Sequence, residues 1–373
     1  MPRSLQEILA PKTVLKAISQ IDLPGTTLQR LFGWGLAGKN RIRTSGRRFS
    51  YDTFDTSRRV ATGRVPGQAA SRQAAHRVGR VQGTFPRAAE VIPLLDEELL
   101  NQRRIGGPAG ELDAGGRGFI TRQEAYLAQR FANLIEFQTA AMLRGSYSYH
   151  QVGDDLHHGF AGGEVTIDFQ IPAGNLGQLD MLGGGPLLDA DWAEPDTDIP
   201  AHLHAVNAAL VQLTGMGLAH VALTGAGWQH VAHTQKVQAQ GGSTNVVVHS
   251  LRRVSAGEFA AVLRCLPWIT FHIVDYGLEV FNGSAEVFTR LIDDDHAAFF
   301  PDPSPRWTQY LEGSEIVTEG PGGNRAERFG FFPFAYPVHD PSGWELAAIH
   351  NGIPALYTPQ ALAYGQITGG SYE

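Results

Sequence analysis

Cysteine is almost missing from this chain: Cys265 is the sole thiol in 373 residues. One thiol forms no internal disulfide and cannot build a thiolate metal site, so neither covalent staples nor sulfur-bound zinc is expected. It sits in an apolar run, Ala261-Val262-Leu263-Arg264-Cys265-Leu266, where a buried inert thiol is expected. No stretch approaches 18 consecutive apolar residues, so no membrane-crossing helix and no membrane partner are expected. The first residues, Met1-Pro2-Arg3-Ser4-Leu5-Gln6-Glu7, carry no apolar signal core before a small-residue cleavage site. Export by the usual route is therefore not expected, and synthesis inside a cell fits.

Reaction motifs are missing too. There is no G-x-S-x-G elbow, no G-x-x-x-x-G-K-[ST] loop and no H-E-x-x-H pair. Gly183-Gly184-Gly185-Pro186 lacks the Lys-Ser/Thr that a phosphate cradle needs. Fourteen histidines invite a metal reading. His202 and His204 are two apart on a predicted helix and face different ways. His157 and His158 are adjacent in a Gly/Asp loop. His230 and His233 have helical spacing but no evident third ligand. Asp293-Asp294-Asp295 has oxygen ligands for a divalent ion, yet a solvated acidic loop is the simpler reading. No catalytic residue, metal or cofactor is expected. A hydrolase with a dispersed site stays open only as a rival without a motif.

Lysine is scarce, with Lys12, Lys16, Lys39 and Lys236 the full set, so the chain's positive charge is mostly arginine. That charge is uneven. Residues 1–90 hold 16 basic and 5 acidic side chains, a balance of +11; residues 91–373 stand at −18, and the whole chain at −7. A basic segment on an acidic body binds nucleic acid or lies against the body of another copy. Arginine's planar fork suits phosphates and carboxylates alike.

The pattern along the chain gives the organisation. Residues 4–19 are a short amphipathic stretch broken by Pro11. Residues 24–90 are rich in Gly, Arg, Ser and Thr, with aromatics at Phe32, Trp34, Phe49, Tyr51 and Phe54. So long a stretch without clean periodicity reads as an extended arm ordered by a partner, with strand character at Arg47–Asp52. Glu90–Leu100 reads as a strand leading into a short helix, followed by a glycine-rich turn at 106–118. Thr121-Arg122-Gln123-Glu124 has the form of a capping box. Apolar residues at Tyr126, Leu127, Phe131, Leu134 and Ile135 then keep one helical face up to a Gly145 stop. A helix over 121–145 is long against a mean of about 11–12 residues.

Tyr147–Tyr149 and Val165–Phe169 predict a hairpin, and Pro172–Trp192 reads as a linker. Helices are predicted at Pro200–Gly215, Gly227–Gln240 and Ser255–Cys265. Strands are predicted at Leu218–Thr224, Trp268–Tyr276, Trp344–Ile349, Ala355–Tyr357 and Tyr364–Ile367. The alternation from 198 to 280 indicates an α/β subdomain.

This order of elements resembles the Hong Kong 97-type capsid fold, and within it the major capsid protein E family of lambda-like phages. Residues 91–106, running from Val91-Ile92-Pro93-Leu94-Leu95-Asp96 to Arg103-Arg104-Ile105-Gly106, are similar to the family's entry to its P domain. The helix from Thr121 matches its spine helix in place and length. Trp344-Glu345-Leu346-Ala347 with Ile353-Pro354-Ala355-Leu356-Tyr357-Thr358-Pro359 resembles its closing segment. The resemblance implies an α+β fold: an N-terminal arm (1–39), an E-loop (40–83), a P domain (84–194), an A domain (195–325) and a C-terminal return (326–373).

It further implies a structural head protein of a tailed phage that assembles with itself, as hexamers and pentamers, into an icosahedral shell around double-stranded DNA. The expected place is the virion, after assembly in the host bacterial cytoplasm. Expected partners are a separate scaffolding protein, a portal and a decoration protein, with packaged DNA only weakly bound. Arg41, Arg43, Arg47, Arg48, Arg58, Arg59 and Arg64 are expected to pair with carboxylates of a neighbouring subunit. Asp293, Asp294 and Asp295 are expected at a capsomer-axis loop. Lys39-Asn40 offers the only lysine near the candidate loop, and no autocatalytic cross-link is expected. A non-viral nanocompartment shell of the same fold remains the alternative.

Overall fold

The computed structural model describes residues 13, 16, 23–36, 38–54, 78–95, 114–150, 164–240, 248–255, 258–319, 324–339 and 342–369. The elements begin with helix α1 (Thr27–Leu31) and strands β1 (Arg41–Thr44), β2 (Arg48–Phe54), β3 (Val78–Thr84) and β4 (Arg87–Leu95). A long helix α2 (Ala114–Arg144) leads to β5 (Ser146–His150), β6 (Glu164–Asp168) and β7 (Leu176–Gly177). Helix α3 (Ile199–Thr214), β8 (His220–Leu223), α4 (Gly225–His233) and α5 (Gln235–Gln240) follow. Next come β9 (Val248–Ser255), β10 (Glu258–Leu263), β11 (Thr270–Val274), β12 (Gly277–Phe281), β13 (Glu286–Arg290) and β14 (His296–Phe300). The chain closes with β15 (Thr308–Glu319), β16 (Asn324–His339), β17 (Ser342–Leu356) and β18 (Ala363–Gln366).

The chain forms two compact units. The first lies within 1–49, 82–136 and 309–354. Its frame is a sheet in the order β1-β15-β16-β17-β4. β1 runs parallel to β15, and the other neighbours are antiparallel. Alternate residues of the sheet, among them Phe331, Leu346 and Ala348, close against Ile120, Leu127, Ala128 and Phe131 of α2. Each fully buried Leu or Phe there contributes about 1.5–3 kcal/mol.

Helix α1 is held from the same side. Glu136 of α2, with no exposed surface, accepts the backbone N–H groups of Leu28 at 2.7 Å and Gln29 at 2.9 Å. The Gln29 amide donates to the Ala132 carbonyl at 2.9 Å.

The capping box expected at Thr121–Glu124 is not a helix start. The helix begins at Ala114, so Thr121 lies inside it. Glu124 is buried instead of reaching back to a helix end, and burial lifts its carboxyl to about 7. The physical reason is packing. Phe119 and the fully buried Ile120 extend the apolar stripe one turn upstream. Tertiary burial there outweighs the cost of about 1 kcal/mol for each helical glycine. The end is as expected: Gly145 adopts φ 99.

The second unit lies within 50–81, 137–308 and 355–373. Its seven-stranded sheet runs β7-β18-β14-β8-β11-β10-β9, with β8–β11 and β7–β18 parallel. Helix α3, predicted over Pro200–Gly215, buries Leu203, Val206 and Leu210. Asp198 caps its start through the Ala201 N–H at 3.0 Å, and Gly215 at φ 77 ends it. The expected hairpin is β5–β6, with Tyr147 opposite Ile167.

Three predicted elements change in this unit. The predicted linker 172–192 belongs to the core: Leu179, Leu188 and Trp192 are fully buried. The Trp192 indole donates to His202 Nδ1 at 3.0 Å, and His202 Nε2 meets Asp189 at 2.7 Å. The predicted helix 255–265 contains strand β10, paired with β9 and β11. Phe259-Ala260-Ala261-Val262-Leu263 is too short an apolar run for periodicity to decide, and two partner strands decide it. The predicted helix 227–240 is two helices, because Thr234 turns out at ψ 137. Near the C-terminus, the pieces predicted at 344–349 and 355–357 largely merge into the single strand β17.

Candidate functional site

Three of the arginines singled out by sequence, Arg41, Arg43 and Arg47, converge on two carboxylates of β15. Parallel pairing of β1 with β15 sets Arg43 opposite Glu312 and Arg41 opposite Tyr310. Arg41 is nearly buried. It donates to the Trp34 carbonyl at 2.9 and 3.1 Å, lies over the Tyr310 ring and forms an ion pair with Glu312. Arg43 stays 73% exposed, 3.9 Å from Glu312 and over the Phe329 ring. Arg47 stays 70% exposed, 3.4 Å from Glu315. Glu315 is buried and also accepts from Arg87 at 3.0 Å and from the Asn351 amide at 2.9 Å. Burial alone would raise its carboxyl, but those hydrogen bonds, with the Arg87 and Arg47 charges, hold it below the usual range. Arg48 is exposed on β2. Arg58, Arg59 and Arg64 lie outside the described residues.

The described arginines are thus not uniform. Arg41 is fixed inside its own chain, where a desolvated guanidinium–carboxylate pair acts as a lock. Arg43 and Arg47 contribute little to stability at such exposure and keep their outer faces available. Sequence reading missed Arg87, Glu312, Glu315 and Asn351. No local signal marks them, because strand register brings Arg87 to Glu315 from 228 residues away and Asn351 from 36.

The acidic triplet is not a bare loop tip. Asp293 accepts from the Tyr364 hydroxyl at 2.7 Å and pairs with Arg144 at 3.1 Å. Asp294 pairs with Arg290 at 2.7 Å, and Asp295 meets His296 at 2.8 Å. The triplet follows β13 and roots the hairpin β12–β13 through Arg290.

Histidines make one further cluster. His220 Nδ1 lies 3.0 Å from His272 Nε2, and its Nε2 lies 2.9 Å from Asp302. Burial pushes His220 down and, with His220 beside it, holds His272 at about 3. His230 and His233 border a shallow cleft with Trp192 and Gln229. His157 and His158 lie outside the described residues. Among the described residues no group of three or more His, Cys, Asp or Glu is arranged to hold a metal. Cys265 is partly buried, and burial pushes its thiol up, which makes it a poor nucleophile.

The sequence model of the family described as phage major capsid protein E matches residues 26–367. The chain belongs to that family. Two solved structures share its fold across nearly their whole lengths. One is assigned as the capsid protein of a prophage of E. coli CFT073, at 13% identity and a TM-score of 0.58, covering 98% of this chain and 99% of that one. The other is a phage-related protein from Bordetella bronchiseptica RB50, at 13% identity and a TM-score of 0.50, covering 97% and 98%. No curated protein matches the sequence.

The fold is the Hong Kong 97-type capsid fold, and the chain is a major capsid protein of a tailed bacteriophage. Many copies assemble into the icosahedral shell that encloses packaged double-stranded DNA, and the virion is where this capsid protein resides. Buried ion pairs such as Arg41–Glu312 suit a protein whose task is to keep its shape under load.

Proposed function

We propose that this capsid chain acts purely as a building element, closing into hexamers and pentamers without catalysing a reaction. The family match over residues 26–367 carries the reading. Its five parts follow the sequence divisions: arm 1–39, E-loop 40–83, P domain 84–194, A domain 195–325 and return 326–373. In this reading Arg43, Arg47 and Arg48, whose outer faces are exposed, join Arg58, Arg59 and Arg64 in meeting carboxylates of an adjacent subunit. Arg41 backs them from within by its pair with Glu312. Asp293, Asp294 and Asp295 stand near the capsomer axis with their charge already matched by Arg144, Arg290 and His296. Assembly takes place in the host cytoplasm with a separate scaffolding protein, a portal closes one vertex, and a decoration protein covers the outer face. Packaged DNA is bound weakly.

Electron microscopy of the purified full chain, alone and co-expressed with the scaffolding protein, tests this. Rings or closed shells are the expected result. A monodisperse monomer that turns over ester or peptide substrates would sink it.

A further inference from the structure

The hairpin β12–β13 stands apart. Its two strands pair with each other and with no other described strand. A two-stranded hairpin is marginal in water unless something packs on it. Register sets the faces: Glu279 opposes Phe288, and Phe281 opposes Glu286, so these four side chains form one checkerboard face. Phe288 is 63% exposed, Phe281 39%, and both glutamates are exposed. Val280 and Val287 occupy the other face, where Val287 is 45% exposed.

Both ends of the element make contacts. At its root Arg290 reaches Asp294 at 2.7 Å and Asp275 at 3.4 Å. At its turn Asn282 Oδ1 accepts from the backbone N–H groups of Ser284 and Ala285, each at 3.0 Å. Gly283, at φ 97, lies so close to the His150 ring that a Cβ would come within 2.9 Å. A two-stranded element that leaves Phe288 and Phe281 partly exposed has the character of a contact surface.

A complementary patch exists on the same unit. The turn between β10 and β11 exposes Arg264, Pro267 and Trp268, and the exposed His204 ring lies 5.4 Å from the Trp268 ring. This patch is aromatic and basic where the hairpin face is aromatic and acidic. The two sit at opposite ends of β11, the turn before Thr270 and the hairpin after Val274. Five residues at about 3.3 Å each separate them by roughly 17 Å along the strand. Complementary patches at the two ends of one strand can meet between copies head to tail, and such contacts close into rings when the rotation closes.

We propose that the Glu279–Phe281–Glu286–Phe288 face of the hairpin docks on the Arg264–Trp268 turn of a second copy of this chain, linking subunits head to tail within a capsomer. The proposal rests on the shell reading above and names the surfaces that reading leaves open. Opposite charge fixes the register, and the stacked aromatics supply the buried area.

Charge exchange in the full chain tests it. E279R/E286R alone and R264E alone each place like charges face to face, so each loses rings and shells about tenfold or more in sedimentation and electron microscopy. The triple variant E279R/E286R/R264E restores the opposite charges and regains assembly. An equal mixture of the two defective chains also recovers, but only as alternating rings, so hexamers return and pentamers do not.

A covalent readout covers variants that fold poorly. In a Cys265→Ser chain, Phe288→Cys together with Trp268→Cys gives an oxidised ladder reaching six subunits, while either cysteine alone gives at most dimers. Assembly of either charge variant at wild-type yield, or assembled particles without a ladder, overturns the docking. Loss of scaffold or decoration binding with unchanged capsomers overturns it as well, by assigning the hairpin to another protein. Failure of the unaltered chain to form rings or shells in any of these assays would instead remove the shell reading.

Discussion

Glu136 gives the sharpest test of how the N-terminal segment is held to its own unit. It is a fully buried carboxylate that accepts the Leu28 and Gln29 backbone N–H groups at 2.7 and 2.9 Å. Replacing Glu136 with Ala leaves both amides buried without this acceptor, at about 1–3 kcal/mol each and about 4 kcal/mol together. Glu136→Gln keeps one carbonyl oxygen and loses the charge, which costs about 2 kcal/mol by the same reasoning. The loss falls on the docking of α1, not on the sheet. Hydrogen exchange followed by mass spectrometry on peptides spanning 27–36 of the unassembled full chain reads it directly. A loss of about 4 kcal/mol speeds exchange there by about a thousandfold, since each 1.4 kcal/mol is about a factor of ten. The Gln variant falls between. Wild-type exchange rates in the Ala variant would show that the carboxylate does not hold α1, and the cap argument would fail.

Three further outcomes follow from the same structure. Burial holds His272 at about 3, helped by His220, and His350 at about 3, helped by Arg41. An unfolded histidine takes up its proton near about pH 6.5, so below that each folded site refuses a proton and stability drops by about 1.4 kcal/mol per pH unit per site. His350→Gln should remove one site's share of that slope in urea titrations between about pH 6 and pH 4, and an unchanged slope would refute the assignment. Gly330 adopts φ 61, and a Cβ there would come 2.4 Å from Glu312 Oε1. Gly330→Ala should cost about 1–3 kcal/mol and disturb the Arg41–Glu312 pair, and a melting midpoint equal to wild type would contradict the geometry. Lys39 is exposed rather than desolvated, so boiled particles on a denaturing gel should give one band near the 40.4 kDa monomer; a covalent ladder would overturn the expectation.

Sequence alone determined the elements whose signal is local. Helix α3 was legible because Leu203, Val206 and Leu210 repeat at helical spacing between Pro200 and Gly215. The middle and end of α2, the β5–β6 hairpin and the order of elements that marks the family were legible for the same reason. The arginine excess of the first 90 residues was legible too, but not its use. Tertiary structure decided the rest wherever two local readings were near in energy or the partner was distant. The capping box at Thr121 lost to a stripe that packs Ile120 on the sheet. The run Phe259–Leu263 became a strand because β9 and β11 flank it. The acidic triplet became the root of a hairpin, because Arg144 and Tyr364 reach Asp293 from 149 residues before it and 71 after. Glu312 and Glu315 gathered their arginines through the parallel register of β1 on β15 and through β4 and β17. Hydrogen-bond register and burial are properties of the assembled sheet, and no window of neighbouring residues contains them.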